Sequence, residues 1–362
     1  MQNPTKALLT WYDANHRDLP WRVSPAAAAR GVHADPYHVW LSEVMLQQTL
    51  VEAVKPYFAR FLAQWPDIGA LAAADRDDVM KAWAGLGYYS RARNLKKCAE
   101  IVADGHDGAF PDTAADLRKL PGIGDYTAAA IAAIAFGRAE AVVDGNVERV
   151  ISRFVAIDTP LPAAKTEIRG FVSAILPADR PGDFAQALMD LGATICTPRR
   201  PSCLVCPLRE GCKALADGDP ERFPVKAARK AKSLRRGAAF VARRGDGAVW
   251  LRRRPENGLL GGMAEVPTTG WTARRDGETG ADAAPVAADW RPDGAIRHVF
   301  THFELELSVF SAAVSTMSPG AAGWWSAPDD LPGEALPTVM KKVIEAALPG
   351  ATKPVRQQGG TV

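Results

Sequence analysis

The sequence lacks features that would mark a membrane protein or a secreted one. No apolar run reaches the ~18 residues needed to span a bilayer, and the opening residues, Met1-Gln2-Asn3-Pro4, do not begin a signal peptide. The net charge is only +3 over 362 residues, so any surface for nucleic acid must be local. Only five cysteines are present, and four of them are clustered, which favours a metal site in a reducing compartment over disulfides. We therefore expect a cytoplasmic protein of about two domains, with no membrane partner.

The stretch 120–150, LPGIGDYTAAAIAAIAFGRAEAVVDGNVERV, predicts a hairpin between two helices. Pro121 cannot continue a helix, and Gly122 and Gly124 allow positive φ and close backbone approach. An alanine-rich helix follows and stops at Gly137. Unpaired amides and the helix dipole at such a hairpin suit an anion, and a DNA phosphate fits that description. The alternative is an ordinary turn between two helices.

Two carboxylates are candidates for acid–base chemistry. Asp35-Pro36 predicts the start of a helix that carries Glu43 among apolar neighbours. A half-buried glutamate there would have a raised pKa and could donate a proton at neutral pH. The alternative is a solvated glutamate on a helix surface. Asp144, in the string VVDGN, lies at the start of a further helical run.

Two other segments have compositions that suit DNA, although each has a structural alternative. The segment 85–94, GLGYYSRARN, carries arginines for phosphates and tyrosines that could wedge between bases. Its tyrosines could equally be core residues at a helix start. The loop 17–22 ends in Trp21 and Arg22, which could be a core residue and a surface charge. The alanine-rich segment 24–34 looks like an insertion.

Four cysteines form one cluster, Cys196, Cys203, Cys206 and Cys212, with the spacing C-x6-C-x2-C-x5-C. Four thiolates within 17 residues can close around one soft centre. The spacing lacks the two separated CxxC pairs of common zinc ribbons and differs from the ferredoxin run. Chemistry alone therefore leaves zinc and an iron–sulfur cluster both open. Cys98 stands apart and is expected in the core.

The composition and the predicted secondary structure change after the cysteines. Residues 216–236 form a basic, proline-punctuated linker, interpreted either as a solvated tether or as a contact for DNA phosphates or a repair partner. Residues 237–350 predict an α+β domain, with strands at 238–242, 248–252, 296–302 and 304–313 and a closing helix at 340–348. The tail 351–362 is predicted to be disordered. The fold class is thus multidomain, an all-α helix-hairpin-helix domain over 1–215 followed by the α+β domain.

Residues 1 to about 215 resemble the helix-hairpin-helix DNA glycosylases that carry an iron–sulfur loop. The motifs are LPWR, SEVMLQQT, GLGYYSRARNL, LPGIGDYTAAAI, VDGNVERV, QALMDLG and the four-cysteine loop. Within that superfamily they are most similar to the adenine-specific branch. The resemblance implies a [4Fe–4S] cluster held by the four cysteines. It also implies base excision repair, in which adenine opposite 8-oxoguanine or guanine in double-stranded DNA is flipped out and excised by a monomeric enzyme of the bacterial nucleoid.

The resemblance also implies roles for individual residues. Glu43 would protonate the leaving adenine, and Asp144 would stabilise the sugar cation, as in the two-carboxylate logic of glycoside hydrolysis. Tyr126 and Asn146 would help to hold the sugar and Asp144. The proposed contacts to DNA or to the bases are Trp21, Arg22, Gln48, Thr49, Leu86, Tyr88, Gly122, Gly124 and Gln186.

One position separates two activities within the superfamily. Related lyases carry a lysine after the hairpin, which forms a Schiff base with the sugar. Here that position is Tyr126, which cannot form an imine, so we expect a monofunctional glycosylase.

The second domain resembles the Nudix-related domain of the same family. No REXXEE string follows Gly262, so pyrophosphate hydrolysis is not expected. The resemblance implies instead that the loop 299–302 reads 8-oxoguanine through Phe300, Thr301 and His302, with threonine where serine is more usual.

Two other function classes compete with an adenine glycosylase. One is a lyase or a thymine-mismatch glycosylase of the same superfamily. Tyr126 argues against the lyase, and the second domain argues against both. The other is a DNA-binding module without activity, which the presence of both Glu43 and Asp144 disfavours.

Overall fold

The computed structural model describes residues 3–227, 231–255, 258–317 and 321–353. The chain divides into two compact units, Met1–Ala74 with Asn94–Arg229, and Asp75–Arg93 with Lys230–Val362. The first is helical and the second mixes strands with helices, which confirms the predicted fold class. The division differs from the predicted domain bounds, since the segment 75–93 groups with the second unit. No helix in the described ranges is long and apolar enough to cross a membrane.

Fourteen α-helices occur in the described residues. They are α1 (Pro4–Asn15), α2 (Pro25–Ala28), α3 (Pro36–Leu46), α4 (Val51–Gln64), α5 (Ile68–Ala73), α6 (Arg76–Ala82), α7 (Ser90–Gly105), α8 (Ala114–Leu117), α9 (Asp125–Phe136), α10 (Gly145–Val155), α11 (Lys165–Ala174), α12 (Pro181–Thr194), α13 (Lys213–Ala216) and α14 (Thr338–Ala347). The sequence had not indicated α5, and the predicted insertion contains the short α2.

Local side-chain chemistry sets the ends of several helices. Asp35 caps α3 by accepting from the backbone N–H of Tyr37 at 2.7 Å, with proline at the first helical position, as predicted. Thr113 caps α8 in the same way. Gly137 ends α9 in the left-handed conformation, φ 64°, which glycine adopts without steric cost. The predictions at Asp35-Pro36 and Gly137 are confirmed.

Small residues let helices of the first unit approach closely around one apolar core. The core lies between α1, α9, α10 and α12 and includes the alanines of α9. Gly182 of α12 lies against the backbone of α9, where an added Cβ would come within 2.7 Å of the Ala133 oxygen. Gly192, two residues before the end of α12, lies against α10, where a Cβ would come within 2.6 Å of the Asn146 Cβ. These contacts fix α12 relative to α9 and to α10.

The first part of the predicted linker is packed onto the helical unit. Phe223 is only 3% exposed, and its carbonyl accepts from Arg153 Nε at 3.1 Å. The backbone N–H of Leu161 donates to the Val225 carbonyl at 2.9 Å. A solvated tether over this part is therefore wrong, because an aromatic side chain and backbone hydrogen bonds hold it. Residues 228–230 lie outside the described residues.

The second unit is built on a mixed sheet. Its strands are β1 (Ser233–Arg243), β2 (Val249–Arg253), β3 (Ala264–Glu265), β4 (Arg291–Val299), β5 (Phe303–Ala313) and β6 (Trp324–Ser326). The order is β3-β2-β1-β5-β4, and β6 pairs with β2. The long strands β1 and β5 run parallel, and β5 pairs antiparallel with β4. α14 packs against β1, β4 and β5, so the sheet is covered on one face by a helix.

The ends of several predicted elements differ in the structure. β1 begins at Ser233 instead of residue 238, and β4 begins at Arg291 instead of residue 296. The predicted strand 296–302 ends at Val299, because residues 300–302 form the turn that leads into β5. The prediction of a disordered tail from residue 351 is wrong for residues 351–353, because Ala351 and Thr352 pack at the end of α14. The Thr352 N–H and hydroxyl donate to Glu345 Oε1 at 2.7 and 2.6 Å. Residues 354–362 lie outside the described residues.

Candidate active site

Glu43 is a buried acid in the middle of α3. It is 6% exposed and is surrounded on its helix by buried apolar residues. Burial raises the pKa of Glu43 to about 7, against the opposing effect of a hydrogen bond donated by the Tyr126 hydroxyl. Near neutral pH a large fraction of such a carboxyl is protonated, so it can act as a proton donor. The interpretation as a solvated helix glutamate is excluded by this burial.

Asp144 lies at the end of a helix, as the N-cap of α10, whereas Glu43 lies in the middle of one. Its Oδ1 accepts from the backbone N–H groups of Asn146 and Val147 at 2.9 and 2.7 Å. Its Oδ2 accepts from the Asn146 side-chain amide at 2.9 Å. Three donors and the positive end of the helix dipole therefore face this carboxylate, which suits a charged acceptor.

Tyr126 joins the two carboxylates into one site. The first turn of α9 carries this residue, and its hydroxyl reaches Glu43. The pKa of Tyr126 is raised well above its ordinary value by burial and by the charges of Glu43 and Asp144, so it remains a protonated donor. The structure thus brings together the acid from α3, the tyrosine from α9 and the carboxylate from α10.

Arg149 links the N-terminus of α10 to α12 and to the cysteine loop. Its Nη2 donates to Asn146 Oδ1 at 2.8 Å and to the Gly192 carbonyl at 2.7 Å, and its Nε donates to the Cys196 carbonyl at 2.7 Å. The Asn146 amide is therefore held on both sides, by Arg149 and by Asp144. No local sequence signal indicated Arg149, because its partners on α12 and beyond are more than 40 positions away.

Three residues that the sequence predicts to contact DNA or the bases are held in place by other protein groups. Trp21 is buried and packs edge-on against Phe58, with ring centroids 5.3 Å apart. The Arg22 Nη1 donates to both oxygens of Asp190, at 2.9 and 2.8 Å. Gln186 is buried in α12, where its amide donates to the Gly182 carbonyl at 3.3 Å. Asp190, which no local sequence signal indicated, is the acceptor that fixes Arg22.

The two glycines of the hairpin before α9 differ in backbone conformation. Gly122 has a φ of +78° and lies against Asn94, where a Cβ would come within 2.7 Å of the Asn94 Cβ. Gly124 is exposed and extended, and it is the N-cap of α9. The predicted positive φ is therefore needed at Gly122 and not at Gly124.

Gln48 and Thr49 follow the C-terminus of α3. Gln48 is exposed and has a left-handed backbone, φ 59°. The Thr49 hydroxyl lies 3.4 Å from the Gln47 carbonyl.

The predicted DNA segment 85–94 is partly internal. Tyr88 is 50% exposed with a left-handed backbone, φ 48°, whereas Leu86 is buried. Arg91 is buried and donates to the carbonyls of Leu86 and Gly87, both at 3.0 Å. Its prediction as a phosphate contact is therefore wrong, because the guanidinium holds the loop that presents Tyr88. The guanidinium of Arg93 donates to the Gly261 carbonyl.

The four clustered cysteines line one cavity between α10, the end of α12 and the loop that follows. Arg153, nearly buried, borders it and donates to Cys196 Sγ at 3.3 Å and to the Thr197 carbonyl at 2.7 Å. Among the described residues no three His, Cys, Asp or Glu side chains converge closely enough to hold a single metal ion. Cys98 is buried, as predicted.

The loop 300–302 projects from the sheet of the second unit. The Phe300 ring stacks on Phe303 at 4.7 Å, and its carbonyl accepts from Lys232 Nζ at 2.8 Å. Thr301 and His302 are exposed. The loop is thus anchored by Phe300 and presents two side chains that can donate or accept hydrogen bonds.

Comparison with known proteins agrees with these observations. Residues 41–170 match the family described as HhH-GPD superfamily base excision DNA repair protein, and residues 238–346 match the NUDIX domain. An adenine DNA glycosylase from Homo sapiens is 37% identical over 400 residues, covering 93% of this chain and 72% of that protein. The corresponding protein from Mus musculus is 36% identical, covering 93% of this chain and 76% of its own.

The fold of the helical part also matches a solved structure. A thermostable thymine-DNA glycosylase aligns with a TM-score of 0.53 at 28% identity, covering 59% of this chain and 95% of that one. Three findings support one family. They are the two domain matches, the order of these domains along the chain and the identity to the relatives. The chain therefore belongs to the adenine DNA glycosylase (MutY) family, the DNA-binding enzymes of base excision repair that act on N-glycosyl bonds in DNA.

Proposed function

We propose that this enzyme excises adenine opposite 8-oxoguanine or guanine in double-stranded DNA by acid-assisted hydrolysis of the N-glycosidic bond. The observation that carries this mechanism is Glu43, a buried acid with a pKa of about 7 that accepts a hydrogen bond from Tyr126 and senses the charge of Asp144. The two groups have opposed surroundings, as an acid and a charge stabiliser require.

Leaving-group chemistry explains the need for the acid. Adenine anion is a poor leaving group, and protonation at N7 turns the departing base into a neutral molecule. Glu43 supplies that proton, and Asp144 faces the positive charge that develops on the sugar. Tyr126 and Asn146 hold the two carboxylates in place through the hydrogen bonds described above. Water then completes hydrolysis at the sugar carbon.

The base must leave the duplex before these groups can reach it. Trp21, Arg22 and Gln186 are proposed to contact the flipped adenine. Gln48, Thr49 and Tyr88, with the neighbouring backbone at Leu86, are proposed to occupy the space near the opposite base. The exposed Gly122 and Gly124 of the hairpin would let a phosphate approach the backbone at the N-terminus of α9.

The absence of an amine at position 126 supports a monofunctional reaction. A tyrosine hydroxyl cannot form the imine through which lyases cut the strand. We therefore expect an abasic site as the product. Borohydride treatment during turnover should trap no covalent protein–DNA adduct, and efficient trapping would contradict this part of the proposal.

The four cysteines suit an iron–sulfur cluster. All four line one cavity, and four thiolates are the ligand set of such a cluster. Cys196, Cys203, Cys206 and Cys212 would hold a [4Fe–4S] cluster through thiolate bonds. Such a cluster would fix the loop next to Arg149 and Arg153, which bind the Cys196 region to α10.

The opposite base is proposed to be read by the second unit. 8-Oxoguanine differs from guanine by an acceptor at C8 and a donor at N7. Thr301 and His302 are exposed side chains that can bond both groups, on a loop anchored by Phe300. This division would leave excision to the helical unit and give the second unit the choice of partner base.

One assay tests the proposed activity as a whole. Duplexes with a single A opposite 8-oxoguanine, A opposite G or T opposite G are incubated with the enzyme, and each strand is scored with and without alkali. We expect adenine release from the first two duplexes, with strand breaks only after alkali. Thymine release without adenine release would contradict the proposal, and breaks without alkali would show a lyase.

Lesion reading needs a test in the full-length chain. Each hydrogen bond to the lesion contributes roughly 0.5–1.5 kcal/mol, so Thr301→Val with His302→Ala should reduce the preference for 8-oxoguanine about tenfold. The rate opposite guanine should change little, since the catalytic carboxylates belong to the other unit. Equal losses on both duplexes, measured under single-turnover conditions, would remove this loop from lesion reading.

A further inference from the structure

Asp190 is a buried carboxylate that the proposed chemistry does not yet use. It lies on α12 with an exposed fraction of 0%. Its Oδ2 accepts from the Arg17 backbone N–H at 2.9 Å, and its Oδ1 accepts from the Arg17 Nε at 2.6 Å. Both oxygens also accept from Arg22 Nη1. Two arginines from the loop after α1 therefore converge on one carboxylate of α12.

The two arginines of this cluster differ in solvent exposure, since Arg22 is buried and Arg17 is partly exposed. The Arg22 side chain is 8% exposed, whereas that of Arg17 is 26% exposed. Asp190 engages a single nitrogen of Arg22, so Nη2 and Nε are not used by this contact. A buried ionised carboxylate is costly unless it is paired, and an apolar pair would often stabilise the fold equally well. Packing alone therefore gives no reason for this arrangement.

The effect of the Arg22 charge on the pKa of Glu43 supplies a reason. Arg22 is among the charges that lower the pKa of Glu43, and it acts in the same sense on Tyr126. The charged or titratable groups that face Glu43 are Tyr126 of α9, Asp144 before α10 and Arg22 of the loop. A full positive charge at Arg22 would thus favour the deprotonated form of the acid. A carboxylate bonded to that guanidinium reduces this effect.

The other side of the cluster is closed by α1. Tyr12 of α1 is fully buried, and its pKa is raised by burial and by the charges of Asp190 and Asp183, while Arg22 and Arg180 lower it. It therefore remains neutral and adds no compensating charge. Among the described groups that act on this part of the site, Asp190 is the carboxylate bonded to Arg22.

We propose that Asp190 is a positioning residue for base excision, which holds the Arg22 guanidinium in the site and offsets its charge beside the Glu43 carboxyl. The inference rests on the proposed function, because it needs Glu43 to be the proton donor. It adds a residue that touches neither the base nor the sugar, and that acts through Arg22. Asp190 would thereby keep Glu43 protonated at the pH where the enzyme works.

The test is the pH profile of single-turnover adenine excision, with the full-length enzyme and an A opposite G duplex. In wild type the rate should fall as the pH rises through the pKa of Glu43. In Asp190→Asn the uncompensated Arg22 should move this limb to lower pH by on the order of one unit. At pH 8 the rate should then fall roughly tenfold, while duplex affinity stays near that of wild type.

Two further variants give opposite expectations. Arg22→Gln removes the positive charge that lowers the pKa of Glu43 and leaves Asp190 paired with Arg17, so the limb should move to higher pH, whatever the loss in rate. Arg22→Gln with Asp190→Asn is neutral at both positions, and its limb should return towards wild type. This pair carries the test even if Asp190→Asn alone fails to fold, because a buried ion pair is often replaced by neutral groups without loss of the fold.

Asp183→Asn is the matched control. It removes another carboxylate of α12 that pairs with an arginine, Arg180, at 2.8 Å, and Arg180 keeps its contacts to Asp13. Its pH limb should coincide with that of wild type. If Asp190→Asn lowers melting temperature and rate without moving the limb, or moves it to higher pH, the proposal is wrong. If wild type itself shows no descending limb, the proposed role of Glu43 fails first.

Discussion

Glu43 and Asp144 lie in the same helical unit but in opposite surroundings. Glu43 is in the interior of α3, where apolar side chains raise its pKa to about 7. Asp144 is the N-cap of α10, where backbone N–H groups and an amide donate to its oxygens. The two carboxyl groups are chemically alike, so the helix interior and the helix N-terminus alone make one an acid and the other a charge acceptor.

The two carboxyl groups also have opposite effects on the stability of the fold. The fold gains from Asp144, since an N-cap carboxylate satisfies N–H groups that α10 would otherwise leave unpaired. It loses from Glu43, because a buried acid resists ionisation. Function is therefore costly to stability at one carboxylate and favourable at the other, and substitutions should separate the two effects.

The largest expected effect is on excision. Glu43→Gln removes the proton but keeps the shape of the side chain, so adenine release should fall by roughly 10²–10⁴-fold. Duplex affinity should be nearly unchanged. Single-turnover rates at saturating enzyme measure the loss, with binding measured separately. Near-normal excision by this variant would remove Glu43 from the role of acid.

The same substitution should stabilise the folded protein, and more so at high pH. In the folded state the Glu43 pKa is raised above its ordinary value of 4.5, so the stability contributed by this group falls as the pH rises from 4.5 through about 7. Glu43→Gln should therefore raise the free energy of unfolding by about 3 kcal/mol at pH 8 and by about 1 kcal/mol at pH 5.5. Denaturant unfolding at both pH values measures this. Equal gains at the two pH values would contradict the burial of an ionisable acid.

Gly192→Ala tests the support behind Asp144. The added Cβ would come within 2.6 Å of the Asn146 Cβ, so α10 or α12 must shift, at a cost of about 1–3 kcal/mol. Because Asn146 bonds Asp144, excision should fall together with stability. Gly170→Ala in α11 is the control, since nothing lies within 4 Å of its Cβ. That variant should be neutral or slightly stabilised, and a similar loss in both would rule out this contact as the cause.

The smallest effect concerns the cap of α10. Asp144→Asn keeps a side chain that caps helices about as well as aspartate, so stability should change by only a few tenths of a kcal/mol. Asp144→Ala removes the cap and should cost about 1 kcal/mol. Both variants lose the charge and should excise adenine poorly. Thermal unfolding of the two, beside their rates, distinguishes a cap from a catalytic charge. Rapid excision by Asp144→Asn would show that the charge is not needed.

Much of this site could be predicted because the signals are local. The cap and proline at Asp35-Pro36, the LPGIG hairpin and Gly137 each depend on neighbours a few residues away. Strand ends were predicted less well, since the turn after Val299 has no glycine or proline to mark it. Arg91 was assigned to phosphate because its burial depends on how its loop folds back over it.

The residue types that the chemistry needs, and their order along the chain, could be read from the amino-acid sequence alone. They are the acid in SEVMLQQT, the tyrosine in place of a lysine, the carboxylate in VDGN and the four clustered thiols. The sequence could not determine that Asp190 binds Arg17 and Arg22, which lie 173 and 168 positions away, or that Gly192 touches Asn146. Only the packing of α1, α10 and α12 decides these contacts, because burial and hydrogen bonding between distant segments leave no periodic or local trace in a sequence.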